Sequence, residues 1–398
     1  MPVWHRLTKD AVAAGKLVVV GLIQEQHPDR CVLYSQWREL GWTILHDPLN
    51  LIGAKAVPIP IAIDEHGIVR ENRLRPGPEF LTSFVEQEFP NESDKKPRRL
   101  GLVDPSNAEK RARSEKTADA WRAFGDHLVL GWEIDRATDA VDAYREALAK
   151  DANAADLWFR LGVALRMRYD SDAREAGDFQ AAVDAWSKAL EIDPNHYIYR
   201  RRIQQYGPRL DKPYPFYDWV DTARREIAAR GETPHPLVAE PVGAELAEPS
   251  RRFATSEIET ANGDPGGKIH RDESGLIALE AVVVRGTPGR GQGAAQVHLN
   301  FRPDAGKKGH WNNEAEPLRV WLDDPPAGTV LSQGFVELSQ PAGQATSDEL
   351  RTASFEVKLP RRAPGPIRIR GYALYNCCED ASGVCQFLRR DFEVELEP

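Results

Sequence analysis

The chain has 398 residues, enough for two or three domains that each bury a core, so a single small module is excluded. Its 52 Lys and Arg residues against 61 Asp and Glu residues give a formal net charge of −9, which disfavours general nucleic-acid binding. No run approaches the roughly 18 apolar residues of a membrane span, and the N-terminus lacks the pattern of a signal peptide. We therefore predict a cytoplasmic protein without a membrane span.

The first segment, residues 1–92, alternates helical and extended patterns, which predicts an α/β domain. The continuous apolar run Leu17–Ile23 predicts a strand buried on both faces of a sheet. The other elements predicted here are a helix opening at Pro28, an extended stretch at Trp42–Leu45, a hairpin turn at Asp64–Gly67 and a helix over Glu79–Glu88.

Two strings in this segment carry a resemblance to a known fold. Val57–Val69 contains an apolar residue, a proline, a strand and a turn of the form Ile-Asp-x-x-Gly-x-Ile/Val, which here ends in Val69. Trp42–Pro48 looks like a Phe-Pro-Val-Leu-x-Asp segment. Both resemble the thioredoxin-like fold, in the branch with peroxiredoxins and TlpA/ResA-type redoxins. The resemblance implies that Pro58 is the family's cis-proline and that Val57 and Pro58 bind an incoming thiol substrate through the backbone. The alternative is that Pro58 only shapes the start of a strand.

The redox motif of that family is missing. Such folds carry Cys-x-x-Cys at a helix N-terminus, where the helix dipole lowers the pKa of the first thiol, and no Cys-x-x-Cys occurs in this chain. Met1–Trp4 resembles the string that follows the second cysteine of redoxins, so we expect the complete protein to start before Met1. A longer N-terminus is compatible with a periplasmic location. The alternative is that this domain is a redox-inactive relic. Cys31 is predicted to be a small core or surface residue.

A polar, mixed-charge linker leads into a helical segment, residues 113–231, in which one pattern occurs twice. The matching residues are Trp121, Phe124, Gly125, Leu128, Ala140, Tyr144, Ala147 and Leu148 in the first copy, and Trp158, Leu161, Gly162, Leu165, Ala182, Trp186, Ala189, Leu190 and Pro194 in the second. The pattern resembles the tetratricopeptide repeat, which implies paired helices whose inner face binds a partner protein. A purely structural bridge is the alternative.

Residues 252–398 read as about seven short strands between Gly, Pro and Asp turns, which predicts an all-β, immunoglobulin-like sandwich. Gly286–Gly293 lacks the Lys-Ser/Thr of a phosphate loop, so a hairpin is predicted there. Lys307–Asn313 reads as a polar loop with His310 on the surface.

Three of the four cysteines, Cys377, Cys378 and Cys385, fall within nine residues. Predicted strands flank a turn at Asp380–Gly383, so cysteines on its two sides lie near cross-strand positions, where Cα atoms about 4.5 Å apart permit a disulfide. Three interpretations stay open at this point: an exchanging redox pair, an inert disulfide or free thiols, and a soft-metal site for Cu(I) or Zn.

This cysteine hairpin resembles the N-terminal periplasmic domain of DsbD-type thiol:disulfide interchange proteins and the C-terminal hairpins of multidomain redoxins. The resemblance implies exchange between Cys385, with either Cys378 or Cys377, and a thiol or disulfide partner protein, with no cofactor. The alternative function is a non-catalytic interaction scaffold built on the helical repeats. A hydrolase is unsupported, because neither Gly-x-Ser-x-Gly nor His-Glu-x-x-His occurs.

Overall fold

The computed structural model describes these ranges of the chain: 2–54, 59–72, 77–90, 105–208, 219–237, 263–287, 293–341, 343–360, 365–379 and 385–397. Within them, helices are combined with antiparallel sheets, which confirms the mixed, multidomain class at that coarse level. The chain divides into two compact units, one of Met1–Arg200 with Trp219–Val238 and one of Arg201–Asp218 with Ala239–Pro398. The finer division into three domains stays a prediction.

The N-terminal part of the first unit mixes short helices and strands. Its elements are α1 (Pro2–Ala13), β1 (Val20–Ile23), α2 (Pro28–Arg38), β2 (Thr43–His46), β3 (Ala62–Ile63), β4 (Val69–Glu71) and α3 (Pro78–Phe80), which runs into a π-helical turn at Leu81–Val85. Strands β1 and β2 pair in parallel, and β3 pairs antiparallel with β4. The predicted turn between β3 and β4 is present, because the Asp64 carboxylate accepts hydrogen bonds from the backbone N–H groups of His66 and Ile68.

One expectation for this part is wrong, and a second is met only in part. The run Leu17–Ile23 is not buried on both faces, since Val18 is 82% exposed and Val20 and Leu22 are exposed on the strand itself. Val20 and Leu22 are two residues apart and so share a face, which means that this face of the sheet of β1 and β2 is exposed among the described residues. The helix predicted over Glu79–Glu88 is limited to α3 and the π-helical turn, which ends at Val85.

The rest of the first unit is helical. Its helices are α4 (Pro105–Glu115), α5 (Ala118–Leu130), α6 (Ala137–Leu148), α7 (Ala155–Tyr169), α8 (Asp178–Ile192), α9 (Tyr197–Tyr206), which continues into the second unit, and α10 (Trp219–Ala229). Helices α4 to α8 pack each against the next, and small residues lie where they cross. A Cβ at Gly125 would meet the Tyr144 ring at 2.7 Å, and one at Gly162 would meet the Trp186 indole at 2.3 Å. The same close approach therefore occurs in both helix pairs.

The second unit contains two antiparallel sheets. Its strands are β5 (Ile277–Arg285), β6 (Ala294–Pro303), β7 (Gly309–Asn312), β8 (Arg319–Leu322), β9 (Val330–Leu331), β10 (Phe335–Glu337), β11 (Thr346–Ser347), β12 (Arg351–Lys358), β13 (Ile367–Glu379) and β14 (Cys385–Leu396). One sheet has the order β10-β8-β13-β7-β11 with β14 also on β13, and the other has the order β5-β6-β12-β9. Buried side chains of both sheets, among them Phe301, Phe355, Trp311 and Tyr375, join in one hydrophobic core.

Among the helices in the described ranges, none is both long enough and apolar enough to cross a lipid bilayer.

Candidate functional site

The candidate site lies at one end of the long hairpin formed by β13 and β14. The two strands pair without interruption from Ile367 opposite Leu396 to Cys378 opposite Cys385. Because side chains alternate between the two faces of a strand, this register fixes which cysteine faces the core. Residues 380–384, which contain the predicted turn, lie outside the described residues.

A disulfide joins Cys378 to Cys385 across this strand pair, with their Cα atoms 3.9 Å apart. The two halves of the bond differ in their surroundings. Cys378 is 1% exposed, whereas Cys385 belongs to the exposed residues at the start of β14. An incoming group therefore reaches the bond from the Cys385 side.

The neighbouring Cys377 is on the other face of β13. It belongs to the hydrophobic core, lies opposite Trp311 of β7 and Gln386 of β14, and is a free thiol. Burial, helped by the negative charge of Asp272, raises the pKa of Cys377 to about 12. The thiol is therefore protonated at neutral pH and takes no part in the disulfide that the sequence left ambiguous.

His310 lies directly opposite Cys378 on the other side of β13, in strand β7. Its Nδ1 contacts Asp348 Oδ1, and the imidazole is 24% exposed. Sequence reasoning placed His310 in a polar loop and assigned it no role. The alternation of Gly309–Asn312 was the available signal for a strand, but its pairing with β13 joins positions far apart in the sequence.

The core side of this hairpin is held by a buried carboxylate. Asp272 accepts hydrogen bonds from the backbone N–H groups of Leu276 and Ile277, each 3.0 Å long, and from the Tyr375 hydroxyl at 2.9 Å. Desolvation alone would raise the pKa of Asp272, but these three donors hold it below its usual value. The edge of one ring of the Tyr375–Trp311 pair packs against the face of the other. This contact joins β13 to β7 on the core face of the sheet, opposite the face that carries the disulfide.

The other residues singled out from the sequence do not join this site. Val57 and Pro58 lie outside the described residues. Cys31 is in α2 of the first unit, 5% exposed, and its pKa is raised by burial and by the charge of Glu25. In the described part of the chain, no three His, Cys, Asp or Glu residues are grouped in a way that could hold a metal ion. 

The chain was also compared with known proteins. No protein-family model matches it, and no curated protein matches it. The interpretation of the site therefore depends on its geometry and on the sequence resemblances.

Proposed function

We propose that the protein is a redoxin-type thiol–disulfide exchange protein whose working pair is Cys378 and Cys385. The observation that carries the proposal is the asymmetry of the bond, which has one buried and one exposed cysteine at the end of a hairpin. An inert staple gains nothing from presenting one sulfur to solvent, whereas an exchanging disulfide needs an accessible sulfur for an incoming thiolate. The resemblance of the hairpin to DsbD-type N-terminal domains supports the same assignment.

The proposed reaction is the reduction of the disulfide by a partner protein that carries a dithiol. A partner thiolate attacks Cys385 Sγ, the bond between the two sulfurs breaks, and its electron pair stays on Cys378 Sγ. The second partner thiol then attacks the mixed disulfide. The products are an oxidised partner and the Cys378 and Cys385 thiols, so two electrons pass from the partner to this chain. The same steps in reverse oxidise a substrate dithiol.

We assign the two repeated helix pairs, α5 with α6 and α7 with α8, to tetratricopeptide-like repeats. The support is the matched contact of Gly125 with Tyr144 and of Gly162 with Trp186, because the repeat places a small residue where its two helices cross. In this proposal the repeats bind a partner protein. The N-terminal part is assigned to the thioredoxin-like fold, since a parallel strand pair joined through a helix fits that fold.

Differential alkylation of the native full-length chain tests the exchange function. The oxidised protein is incubated with dithiothreitol, free thiols are blocked with iodoacetamide, and the labelled peptides are measured by mass spectrometry. We expect Cys378 and Cys385 to become labelled together without denaturant, and to become protected again when oxidised glutathione is added. A Cys377→Ala variant should behave in the same way, because Cys377 is not in the bond.

Two outcomes would contradict the proposal. If the disulfide opens only in denaturant, it is a structural staple, and the interaction scaffold becomes the better interpretation of the chain. If the purified protein never contains the disulfide, the redox function fails altogether.

A further inference from the structure

A row of four side chains crosses the larger sheet of the second unit at the disulfide. Cys385 lies opposite Cys378, and Cys378 lies opposite His310 on its other side. Residues directly opposed in antiparallel strands share a face and have Cβ atoms about 4.5 to 5.5 Å apart. His310 in turn contacts Asp348, which follows β11, the strand next to β7. The order across the sheet is carboxylate, imidazole, buried sulfur, exposed sulfur.

The position of Asp348 is held by contacts on both sides of it. The Trp311 indole donates a hydrogen bond of 2.8 Å to the backbone oxygen of Glu349, and Ser347 pairs with Trp311 in the β7–β11 ladder. Asp348 engages Nδ1 of His310, which leaves Nε2 without a hydrogen-bond partner among the described residues, and the strand register places His310 beside Cys378.

We propose that His310 donates the proton that the Cys378 sulfur takes up when the disulfide is reduced, and that Asp348 is the positioning residue for its imidazole. This inference rests on the exchange function proposed above and names the group that makes the buried sulfur a competent leaving group. The residues come from four segments of the chain, and no sequence motif unites them.

During reduction one proton moves from His310 to Cys378. The partner thiolate forms a bond to Cys385 Sγ, the Cys378–Cys385 bond breaks, and the Cys378 thiolate takes the proton from Nε2 of the His310 imidazolium. The products are the mixed disulfide with the partner, a neutral Cys378 thiol and a neutral imidazole. In the oxidising direction, His310 removes the proton from Cys378, which attacks the mixed disulfide at Cys385 and releases the partner thiolate.

The adjacent Cys377 shows why the step needs such a group. Both cysteines are almost fully buried, and burial raises the pKa of the unassisted Cys377 thiol to about 12. A thiolate released into such surroundings is a poor leaving group, because exchange slows as the leaving thiol's pKa rises. A cation or proton donor beside Cys378 removes that obstacle. Cys377 lies opposite Trp311, which offers no proton-transfer group of this kind.

Among the described residues, few charges lie around His310 on the face that it shares with Cys378. Asp348 forms its ion pair, and Lys308 is two residues earlier along the chain. The corresponding positions on the flanking strands hold Asn376 and Thr346, which carry no charge. Glu379 is at the end of β13, opposite Gly309 and thus on the other face. Asp348 is therefore the charged group that contacts the imidazole.

The test measures how fast dithiothreitol reduces the native full-length protein and its His310→Gln variant between pH 6 and pH 9. Rates are divided by the concentration of dithiothreitol thiolate at each pH. General acid assistance is worth 10² or more in favourable cases, so we expect H310Q to be at least about tenfold slower at pH 6. We expect the difference between the two proteins to shrink as the pH rises toward 9, because a proton donor assists only in its protonated form. His270→Gln, at an exposed histidine of the same unit, should match the wild type throughout.

The Asp348→Asn variant provides the second measurement. Its side chain is 65% exposed, so the fold should tolerate the change even if H310Q does not fold. Without the carboxylate the imidazole loses the contact that positions it, so the rate of D348N at pH 6 should fall toward that of H310Q. A pH dependence identical to that of the wild type overturns the role of Asp348 and, if H310Q is unfolded, the whole inference.

The failure of this inference is distinct from the failure of the exchange function. If the native wild type is not reduced at all, the function itself fails. If the wild type is reduced and H310Q is equally fast at every pH, the inference fails while the function stands. An H310Q defect of the same size at pH 6 and pH 9 means that His310 only supports the structure, and this also overturns the proposal.

Discussion

Two strands of this chain that both carry large apolar side chains have opposite surroundings. In β1 of the first unit, the apolar Val20 and Leu22 are exposed. In β6 of the second unit, Val297, Leu299 and Phe301 are all fully buried. Strand β6 lies between β5 and β12 and packs on the opposing sheet, whereas β1 pairs with β2 alone among the described residues. An apolar, β-branched run therefore predicts a strand, but the elements that cover the strand decide its burial.

The same comparison applies to the cysteines. Cys31 of the first unit is buried without a second cysteine, and burial raises the pKa of its thiol. Cys378 is buried as well, but its strand register supplies a second cysteine on one side and His310 on the other. The two buried cysteines thus differ in what lies opposite them and not in burial.

The largest expected effect comes from truncating equivalent leucines in the two strands. Leu299→Ala should lower the free energy of unfolding by about 2–5 kcal/mol, because it leaves a cavity in a closely packed core. Leu22→Ala should cost less than about 1 kcal/mol, because its side chain is already 44% exposed. Urea unfolding followed by circular dichroism measures both changes. Equal decreases in the free energy of unfolding for the two variants would show that the exposed face of β1 is covered in solution.

In the first unit, the close packing of two helices can be tested by replacing one glycine at their crossing and one glycine with open space around it. Gly162→Ala should cost about 1–3 kcal/mol, because the added methyl would lie 2.3 Å from the Trp186 indole and 2.9 Å from the Ala182 backbone oxygen. Gly41→Ala is the matched control, because nothing lies within 4 Å of its added methyl. Thermal unfolding of the two variants should therefore separate them, and a G162A melting curve like that of G41A would contradict the close approach of the two helices.

A smaller effect is expected at Asp272, which links β5 to β13. Asp272→Asn should cost about 1–2 kcal/mol, because it weakens hydrogen bonds that a carboxylate accepts from Leu276, Ile277 and Tyr375. The pKa of Asp272 is lower in the folded state than in the unfolded state. The ionised carboxylate therefore stabilises the fold above its unfolded-state pKa, and this stabilisation is lost as the pH falls through the lowered folded-state pKa.

Urea unfolding at neutral pH and near pH 3 measures this linkage. The difference in stability between the wild type and D272N should be larger at neutral pH. A difference that stays constant over this range would show that folding does not lower the pKa of Asp272.

The smallest effect is expected from the lone thiol of the first unit. Cys31→Ala should leave the rate of disulfide reduction by dithiothreitol unchanged within error, because Cys31 is absent from the disulfide and belongs to the other unit. Cys385→Ser is the contrasting change and should abolish the reaction, since no second cysteine then bonds to Cys378. A slower C31A protein would mean that the two units cooperate in exchange.

Much of the secondary structure follows from local pattern. The helical period and the repeated glycines predict α5 to α8, and Asp64–Gly67 predicts its own turn, because the interactions that form these elements join residues close in the chain. The helix expected over Glu79–Glu88 shows the limit of such reasoning, since its length depends on packing that the local pattern does not contain.

By itself, the sequence determined the alternation of helical and strand segments and a hairpin with cysteines on both sides of its turn, because these depend on near neighbours. Only the tertiary structure decided that Cys378 and not Cys377 is joined to Cys385, since a shift of one residue in register would exchange their faces. It also decided that His310 lies opposite Cys378 and that, among the described residues, β1 is exposed on one face. These features depend on strands that meet across long stretches of chain, and no local pattern encodes such pairing.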